Sequence, residues 1–249
     1  MPQPAIVILG ATSAMGHAYA RRCAGKGAAL LLVGRNEAMM RDNAADLLAR
    51  GASQVAVEVS DLADTQSAAI RWKQWIDKIG GQFDQVLLAY GSLGEQAKAQ
   101  ADPVETQSIL TTNFTSAAVW LGLAAETIGQ GSDKHIIAIG SVAGDRGRQS
   151  NYVYGAAKAG LEVFVEGLAH RLASSKVHVL LVKPGFVDTP MTAHLPKGGP
   201  LWSTPERVAA DIEKAVTRRR AVLYTPWFWR IIMTIITSVP RMIFHKTKL

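Results

Sequence analysis

The chain is poor in cysteine, and this scarcity limits the chemistry that it can carry. Cys23 is the single cysteine among 249 residues, which excludes an intrachain disulfide and a cysteine-based metal cluster. It lies in a helical pattern, where a cysteine usually serves as a small core residue. The sequence therefore predicts a protein of a reducing compartment, the cytoplasm, with no bound metal.

Long apolar runs and internal repeats are also lacking. The N-terminal run Ala5–Leu9 is too short for a signal peptide or a membrane span. With 48% hydrophobic and 19% charged residues, the composition is that of an ordinary globular protein. No low-complexity segment or interdomain linker interrupts the chain, so we expect one α/β domain over residues 1–225, followed by an extension over 226–249.

The charge is unbalanced toward the basic side. Lysine and arginine number 27 against 20 acidic residues, a net charge of +7 that favours an anionic partner. The basic residues are scattered, apart from Arg218-Arg219-Arg220 and the C-terminal tail, and no nucleic-acid motif is present. We therefore expect a phosphorylated ligand or an anionic lipid rather than nucleic acid.

The most informative pair is a tyrosine and a lysine four residues apart. Tyr154 and Lys158 would share one face of a helix, with Cβ atoms about 5–6 Å apart. An ammonium at that distance lowers the pKa of a tyrosine and suits it to pass a proton to a carbonyl oxygen. Ser141 follows an apolar strand pattern upstream and would bind the same oxygen. Tyr152 competes for this role, but its spacing predicts packing or a place in the pocket lining.

A glycine turn near the N-terminus indicates a phosphate site. The apolar run Ala5–Leu9 leads into Gly10-Ala11-Thr12-Ser13-Ala14-Met15-Gly16, and a helix pattern follows. The amides and dipole of such a helix N-terminus suit a pyrophosphate, although an ordinary strand-to-helix turn has the same pattern. Arg35 follows the second strand, Ala28–Val33. An arginine there favours the 2′-phosphate of NADP(H) over NAD(H), or it is simply a solvated helix-start residue.

Later strand ends carry further candidates. Asp61 follows the strand Gln54–Val59 and would bind the adenine amino group or cap a helix Asp64–Ile79. Gly91, after the fourth strand, would let the backbone approach the cofactor. Asn113 lies inside a long helix, Pro103–Ile128, where it would satisfy a local kink or hold a water molecule.

The segment after the sixth strand predicts a turn and a lid. Pro184-Gly185 fixes a sharp turn that would present backbone groups to a nicotinamide carboxamide. The aperiodic stretch Met191–Pro200 is typical of a lid. Arg146 and Arg148, in the loop after Ser141, would meet an anionic substrate or solvent.

The C-terminal tail, Trp227–Lys246, is apolar but interrupted by Arg230 and by Pro240-Arg241, so it is too short to cross about 30 Å of hydrocarbon. Tryptophans at one end and basic residues at the other suit a helix lying in a membrane interface. The alternative is packing against a partner subunit or across the substrate cleft.

These motifs together resemble the short-chain dehydrogenases/reductases over residues Ala5–Thr225. The matching residues are Gly10, Gly16, Asn113, Ser141, Tyr154, Lys158, Pro184, Gly185, Val187 and Thr189. The resemblance implies a Rossmann-like, doubly wound parallel sheet of about seven strands, in homodimers or homotetramers. It implies that Tyr154 is the acid/base, Ser141 holds the substrate oxygen, Lys158 lowers the tyrosine pKa and binds the nicotinamide ribose, and Asn113 supports a relay water. The implied cofactor contacts are Gly10, Thr12, Ser13, Met15, Gly16, Arg35, Asp61, Leu62, Ala89, Gly91, Tyr154, Lys158, Pro184, Gly185, Val187 and Thr189.

Two departures from the family pattern concern the cofactor pocket. Ala14 replaces the usual middle glycine of the phosphate turn, and Leu88-Ala89-Tyr90-Gly91 replaces the usual Asn-Asn-Ala-Gly.

The segment Phe186–Leu195, the arginine loop and the tail are similar to reductases of decaprenylphosphoryl-2-keto-erythro-pentose. This similarity implies a ketosugar carried on a polyprenyl phosphate. The alternatives are a soluble carbonyl, such as an oxoacyl thioester, and a dinucleotide-binding scaffold without catalysis.

Overall fold

The computed structural model describes residues 3–193 and 195–247. A parallel sheet of seven strands forms its centre: β1 (Ala5–Leu9), β2 (Ala29–Gly34), β3 (Gln54–Val59), β4 (Gln85–Leu88), β5 (His135–Ile139), β6 (His178–Pro184) and β9 (Val222–Thr225). Their order across the sheet is β3-β2-β1-β4-β5-β6-β9. Two further short strands, β7 (Phe186–Val187) and β8 (Trp202–Ser203), pair with each other outside it. The predicted seven-stranded, doubly wound α/β fold is confirmed.

Helices cover both faces of the sheet. Their bounds are α1 (Ala14–Ala24), α2 (Glu37–Ala49), α3 (Ala68–Asp77), α4 (Gln96–Ala99), α5 (Pro103–Leu110), α6 (Ser116–Thr127), α7 (Tyr152–Leu172), α8 (Pro205–Thr217), α9 (Trp229–Ser238) and α10 (Arg241–Phe244). Helices α3, α6 and α7 bury one face of the sheet under a cluster that contains Trp72, Trp75 and Trp120, while α1, α2 and α8 bury the other. Because both faces are covered, the strands are continuous apolar runs.

The predicted helix from Pro103 to Ile128 is interrupted by a wider turn. Residues Thr111–Thr115 form a π-helical turn between α5 and α6. The combined stretch Pro103–Thr127 is long and apolar enough to cross a membrane by length and composition alone. However, Trp120 and Leu121 lie in the core beneath the sheet, as in a core helix of a folded domain.

Helix α3 begins at Ala68, four residues later than the sequence predicts. Short turns take up the intervening chain, since Oδ1 of Asp61 accepts the N–H of Ala63 and Oδ1 of Asp64 accepts the N–H of Gln66. Asp61 therefore caps a turn and does not cap the helix.

The tail folds back onto the domain that precedes it. Trp229 and Met233 of α9 are buried against Val142, the residue that follows Ser141, and pack beside Tyr224 of β9. The tail thus contacts its own chain next to the candidate site. His194, within the segment Phe186–Leu195, lies outside the described residues.

Candidate active site

The candidate residues gather at the carboxyl edge of the sheet. Every strand of a parallel sheet presents its carboxyl end at the same edge, and the strand order reverses between β1 and β4, where dinucleotides bind in this class of fold. The segments that leave this edge carry Gly10, Arg35, Asp61, Ala89, Gly91, Ser141 and Pro184. The fold therefore brings residues that are far apart in the sequence to the same edge of the sheet.

The turn between β1 and α1 approaches its neighbours too closely for a side chain. Gly10 has a positive φ of 88°, and a Cβ there would lie 2.7 Å from the Cβ of Tyr90. At Gly16 a Cβ would lie 2.8 Å from Oγ of Ser13, which accepts the Gly16 N–H and caps α1. Ala14 is the first residue of α1, so its methyl group leaves the turn intact. The result is an open helix N-terminus that fits a pyrophosphate.

The residues predicted to bind the adenosine end lie beside this turn. Arg35 and Asp61 are exposed at the carboxyl edge, Arg35 directly after β2 and Asp61 two residues after the end of β3. Thr12 and Met15 are half-buried in the turn itself. Leu62 packs in the core cluster, and its carbonyl oxygen accepts the indole N–H of Trp120 at 2.8 Å.

Tyr90 stands where the resembled family usually has alanine, and it makes a hydrogen bond through its side chain. Its hydroxyl shares a hydrogen bond of 2.8 Å with Oγ of Ser116 in α6. Burial raises the pKa of Tyr90, which keeps the hydroxyl protonated. The end of β4 is thereby tied to the helix beneath it.

Ser141, Tyr154 and Lys158 come together as the spacing predicts. Ser141 follows β5, while Tyr154 and Lys158 occupy the first turns of α7, with Nζ of Lys158 5.7 Å from the Tyr154 ring centre. Gly155 permits the close approach, because a Cβ there would lie 2.9 Å from the carbonyl oxygen of Ala143 in the turn after Ser141. Nζ of Lys158 donates to the carbonyl oxygen of Ile139 at 3.0 Å and is almost fully buried.

The pKa of Tyr154 shifts in the direction opposite to the sequence-based expectation. Burial raises the pKa of Tyr154 to about 12, and the nearby Ser141 hydroxyl only partly offsets this. Burial also lowers the pKa of Lys158 to about 8. Desolvation outweighs the tyrosine–lysine proximity because it penalises the charged form of each group. Tyr154 is therefore a protonated donor at neutral pH.

Asn113 forms the brace of the π-helical turn. Its Nδ2 donates to the carbonyl oxygens of Ser92 (2.7 Å) and Ile109 (2.8 Å), and its Oδ1 accepts the Ser92 N–H at 3.1 Å. These bonds fasten the loop after β4 to the helix, and a Cβ on Gly91 would lie 2.6 Å from Oδ1. The kink interpretation of Asn113 agrees with this geometry, because Asn113 lies within the π-helical turn and bonds to both the helix and the loop. A turn of this kind is often found at a functional site.

The Pro184-Gly185 turn is covered by the tail. A Cβ on Gly185 would overlap the indole ring of Trp229, which also packs edge-on against Phe186. The indole N–H donates to the carbonyl oxygen of Leu201 at 3.3 Å. The predicted lid, Met191–Pro200, therefore lies between the paired strands β7 and β8. Leu201, the residue that follows it, is hydrogen-bonded to Trp229 of α9. Val187 is buried and Thr189 half-buried along it.

An ion-pair network that no local sequence pattern signals joins the loop after Ser141 to the end of β6. Lys183, buried just before Pro184, pairs with Asp145 and with Glu162, whose Oε1 lies 2.6 Å away. The Tyr224 hydroxyl donates to the second oxygen of Asp145 at 2.9 Å. Four elements, the loop after Ser141, α7, β6 and β9, are thereby held together beside the site.

Arg146 has a role that the sequence did not reveal. Its Nη1 donates to the carbonyl oxygens of Ile236, Thr237 (3.2 Å) and Val239 (2.7 Å) at the end of α9, and its guanidinium lies 3.7 Å from the ring centre of Phe244. It therefore caps the tail helix. Neither predicted partner of Arg146, anionic substrate or solvent, accounts for these bonds.

Comparison with known proteins decides the family. Residues 4–199 match the family model of the short chain dehydrogenases. The chain belongs to the short-chain dehydrogenase family. It is 36% identical over 244 residues to the uncharacterized oxidoreductase Rv2073c of Mycobacterium tuberculosis, covering 97% of this chain and 96% of the relative.

Solved structures of short-chain dehydrogenases share the fold. A short-chain dehydrogenase/reductase from Serratia marcescens superposes with a TM-score of 0.78 at 22% identity, and an actinorhodin polyketide ketoreductase crystallised with NADPH with a TM-score of 0.76 at 21% identity. Each superposition covers 89% of this chain and 95% of the solved chain. The chain is thus an NAD(P)-dependent oxidoreductase of this family.

Proposed function

We propose that this short-chain dehydrogenase reduces a ketone with NADPH, using Ser141 and Tyr154 to bind the carbonyl oxygen. The observation that carries the proposal is the convergence of Ser141, Tyr154 and Lys158 at the carboxyl edge, beside a glycine cradle that a Cβ would fill. A bound NADPH supplies a hydride to the carbonyl carbon. The chain's own residues must hold that carbon in place and supply a proton to its oxygen.

Tyr154 would donate the proton, since its hydroxyl is protonated at neutral pH. Burial alone makes it a weak acid, so in this proposal the Lys158 ammonium, 5.7 Å from the ring centre, would favour the phenolate as the proton leaves. The Ser141 hydroxyl would hold the same oxygen, which fixes the direction of proton transfer. Lys158 would bind the nicotinamide ribose, and its pKa, lowered to about 8, places its charge change near the working pH. Asn113 would hold the loop after β4 and the helix in register, with a relay water as its further role. The buried Lys183–Asp145 pair would keep Ser141 and the nicotinamide turn at a fixed separation.

NADP(H) is the preferred cofactor in this proposal, with NAD(H) as the weaker alternative. Support comes from Arg35, which is exposed at the carboxyl end of β2, where the cofactor ribose lies in this class of fold. A guanidinium binds a phosphate through two parallel hydrogen bonds, and no acidic side chain occupies that position to bind a free 2′-hydroxyl.

The proposed substrate is a ketosugar carried on a polyprenyl phosphate. The motif resemblance supports it, as does the apolar surface of the tail beside the site. The alternative is a soluble carbonyl compound. The similarity of the fold to that of the polyketide ketoreductase supports it. A non-catalytic scaffold is the weakest reading, because Tyr154 and Lys158 are both present.

The tail is proposed to contact an anionic membrane surface from the cytoplasmic side. Trp227, Ile231 and Ile235 recur every four residues and are exposed, opposite the buried Trp229 and Met233. Arg230 and Lys246 are exposed nearby, and the sequence contains no acidic residue after Glu213. Such a face, apolar and flanked by basic groups, is suited to an interface rich in anionic lipid.

Vesicle sedimentation tests the membrane contact. The double variant Ile231→Ser/Ile235→Ser should lose binding to vesicles containing phosphatidylglycerol while keeping its activity on a soluble ketone. Ile70→Ser, at an equally exposed isoleucine on α3, is the matched control and should sediment as the unmodified protein does. Equal sedimentation of all three proteins would remove the membrane from the proposal.

Family members generally assemble, and we propose a homodimer or homotetramer for this chain. A groove between α6 and α7, lined by Val119, Leu123 and Phe164, and the exposed Val163 support it. Light scattering coupled to size exclusion gives the mass directly, and a monomeric mass at micromolar concentration would contradict it.

The substrate is tested by following NADPH oxidation in detergent. A polyprenylphosphoryl 2-ketopentose is compared with soluble ketones and oxoacyl thioesters, each with NADPH and with NADH. Selective turnover of the lipid-linked sugar supports the preferred substrate, whereas turnover of soluble ketones alone supports the alternative. Tight NADPH binding with no turnover of any carbonyl would favour the scaffold.

A further inference from the structure

A large cavity opens between the loop after Ser141 and the tail. It has a volume of about 850 Å³, within the range of small-molecule sites, and is lined by residues 145–149, Tyr152 and parts of 237–247. The loop that forms one wall connects Ser141 to Tyr154. Tyr152, two residues before Tyr154, lines the cavity, whereas Ser141 and Tyr154 do not, so a ligand there would contact the loop that joins the two residues proposed to hold the carbonyl oxygen.

The charge on the cavity wall is predominantly positive. Arg146, Arg148 and Arg241 line it, and Asp145 is the acidic residue among the described lining residues. Asp145 is already neutralised by Lys183 and accepts the Tyr224 hydroxyl. The wall therefore has cationic groups without acidic groups available to balance them.

The arginines differ in what they are already bonded to. Arg146 is committed to the carbonyl oxygens at the end of α9 and to the Phe244 ring. Nε of Arg148, by contrast, is buried and has no hydrogen-bond partner among the described residues. Burial lowers the pKa of the Arg148 guanidinium, and Asp145 only partly offsets this.

A half-buried guanidinium without a partner is unfavourable unless an anion compensates it. Arg241, the first residue of α10, is exposed and lines the same cavity from the tail. Guanidinium groups that line a cavity can bind a phosphate by bidentate hydrogen bonds.

We propose that this cavity is an anion subsite in which Arg148 and Arg241 bind a phosphate group at the loop that joins Ser141 to Tyr154. The phosphate belongs either to the ketone substrate, a reading that rests on the proposed reductase function, or to the headgroup of an anionic lipid beneath the tail. In both cases the tail is a wall of the subsite, which gives α9 and α10 a role in ligand selection.

Direct binding of inorganic phosphate tests the subsite without turnover. The titration is made with saturating NADP⁺, so that Arg35 and the glycine turn are already occupied. Arg148→Gln and Arg241→Gln should each weaken phosphate binding by about tenfold or more, as expected for a charged hydrogen-bonding partner. Arg148→Lys should retain more binding than Arg148→Gln, which separates charge from folding.

Arg207→Gln, at an exposed arginine of α8, is the matched control and should bind phosphate as the unmodified protein does. Equal phosphate affinity in the unmodified protein, Arg148→Gln and Arg241→Gln would overturn the proposal, as would the absence of measurable phosphate binding. This readout does not depend on whether the chain reduces a ketone, so its failure is distinct from failure of the proposed function.

Two further comparisons identify the source of the phosphate. If it belongs to the substrate, the glutamine variants raise KM for dihydroxyacetone phosphate and leave that for dihydroxyacetone unchanged. If it belongs to a lipid, they reduce sedimentation with phosphatidic acid vesicles relative to phosphatidylcholine vesicles. Either pattern supports the subsite. If neither pattern is seen and the variants bind phosphate as tightly as the unmodified protein, the subsite is contradicted.

Discussion

The indole ring of Trp229 lies against Gly185, at the position that a side chain on residue 185 would fill. Gly185 belongs to the turn proposed to contact the nicotinamide, and Trp229 belongs to the C-terminal tail. The tail is therefore part of the wall of the candidate active site, and the two are expected to respond together to mutation.

Gly185→Ala should displace Trp229 and disturb both the turn and the tail. Overpacking of this kind typically costs about 1–3 kcal/mol of the free energy of unfolding. We also expect a higher KM for NADPH, because the turn moves with the indole. Gly167→Ala, in α7 with no atom within 4 Å of the added methyl, is the control and should be neutral or stabilising. An unchanged melting temperature and KM in Gly185→Ala would contradict the contact.

Arg35→Ala should raise KM for NADPH by about tenfold or more and change KM for NADH little, because the lost interaction is with the 2′-phosphate alone. Steady-state kinetics with both cofactors measure the ratio. Arg41→Ala, which removes an exposed arginine paired with Glu37 on α2, should leave the ratio unchanged. Equal effects of Arg35→Ala on the two cofactors would indicate a solvated arginine.

Asn113→Ala should destabilise the π-helical turn by about 1–3 kcal/mol, since the backbone groups of Ser92 and Ile109 lose buried hydrogen-bond partners. We expect kcat to fall as well, because the loop after β4 is released from the helix. Urea denaturation and kinetics on one preparation test both effects. A fully stable variant with unchanged kcat would rule out the bracing role.

Lys158→Met should stabilise the cofactor-free protein while abolishing turnover. Burial lowers the pKa of Lys158 from 10.5 to about 8, so below pH 8 the folded state carries a desolvated ammonium. Between about pH 8 and 10.5 the unfolded state binds more protons, and the stability of the unmodified protein rises with pH. The advantage of the variant, on the order of 3 kcal/mol at pH 7 for a shift of about 2.5 pKa units, should therefore shrink across this window. An advantage that is constant from pH 7 to pH 10 would show that the ammonium is not desolvated.

The sheet was predictable because its strands are buried on both faces. The apolar run Ala28–Val33 corresponds to β2 at Ala29–Gly34, a shift of one residue. The start of α3 was not predictable from Asp61 and Asp64, since aspartate caps short turns as readily as helices. The π-helical turn at Thr111–Thr115 also escaped prediction, because it depends on bonds from Asn113 to a loop 21 residues earlier.

In the candidate site, local spacing predicted which residues meet but not how they are tuned. Tyr154 and Lys158 share a helix face, as four-residue spacing requires. The direction of the tyrosine pKa shift depends on burial by distant elements, which the spacing does not encode. Likewise, Arg146 reaches carbonyl groups 90 residues later in the chain, so its capping role has no local sequence signal.

The most direct test of the central claim is the turnover of Tyr154→Phe. Removal of the hydroxyl leaves the ring in place but removes the proposed proton donor. We predict that the variant binds NADPH within about threefold of the unmodified protein, a difference below 1 kcal/mol. Its NADPH oxidation with the best carbonyl substrate should fall by about 10²-fold or more. Turnover within tenfold of the unmodified protein would contradict the assignment of Tyr154 as the proton donor.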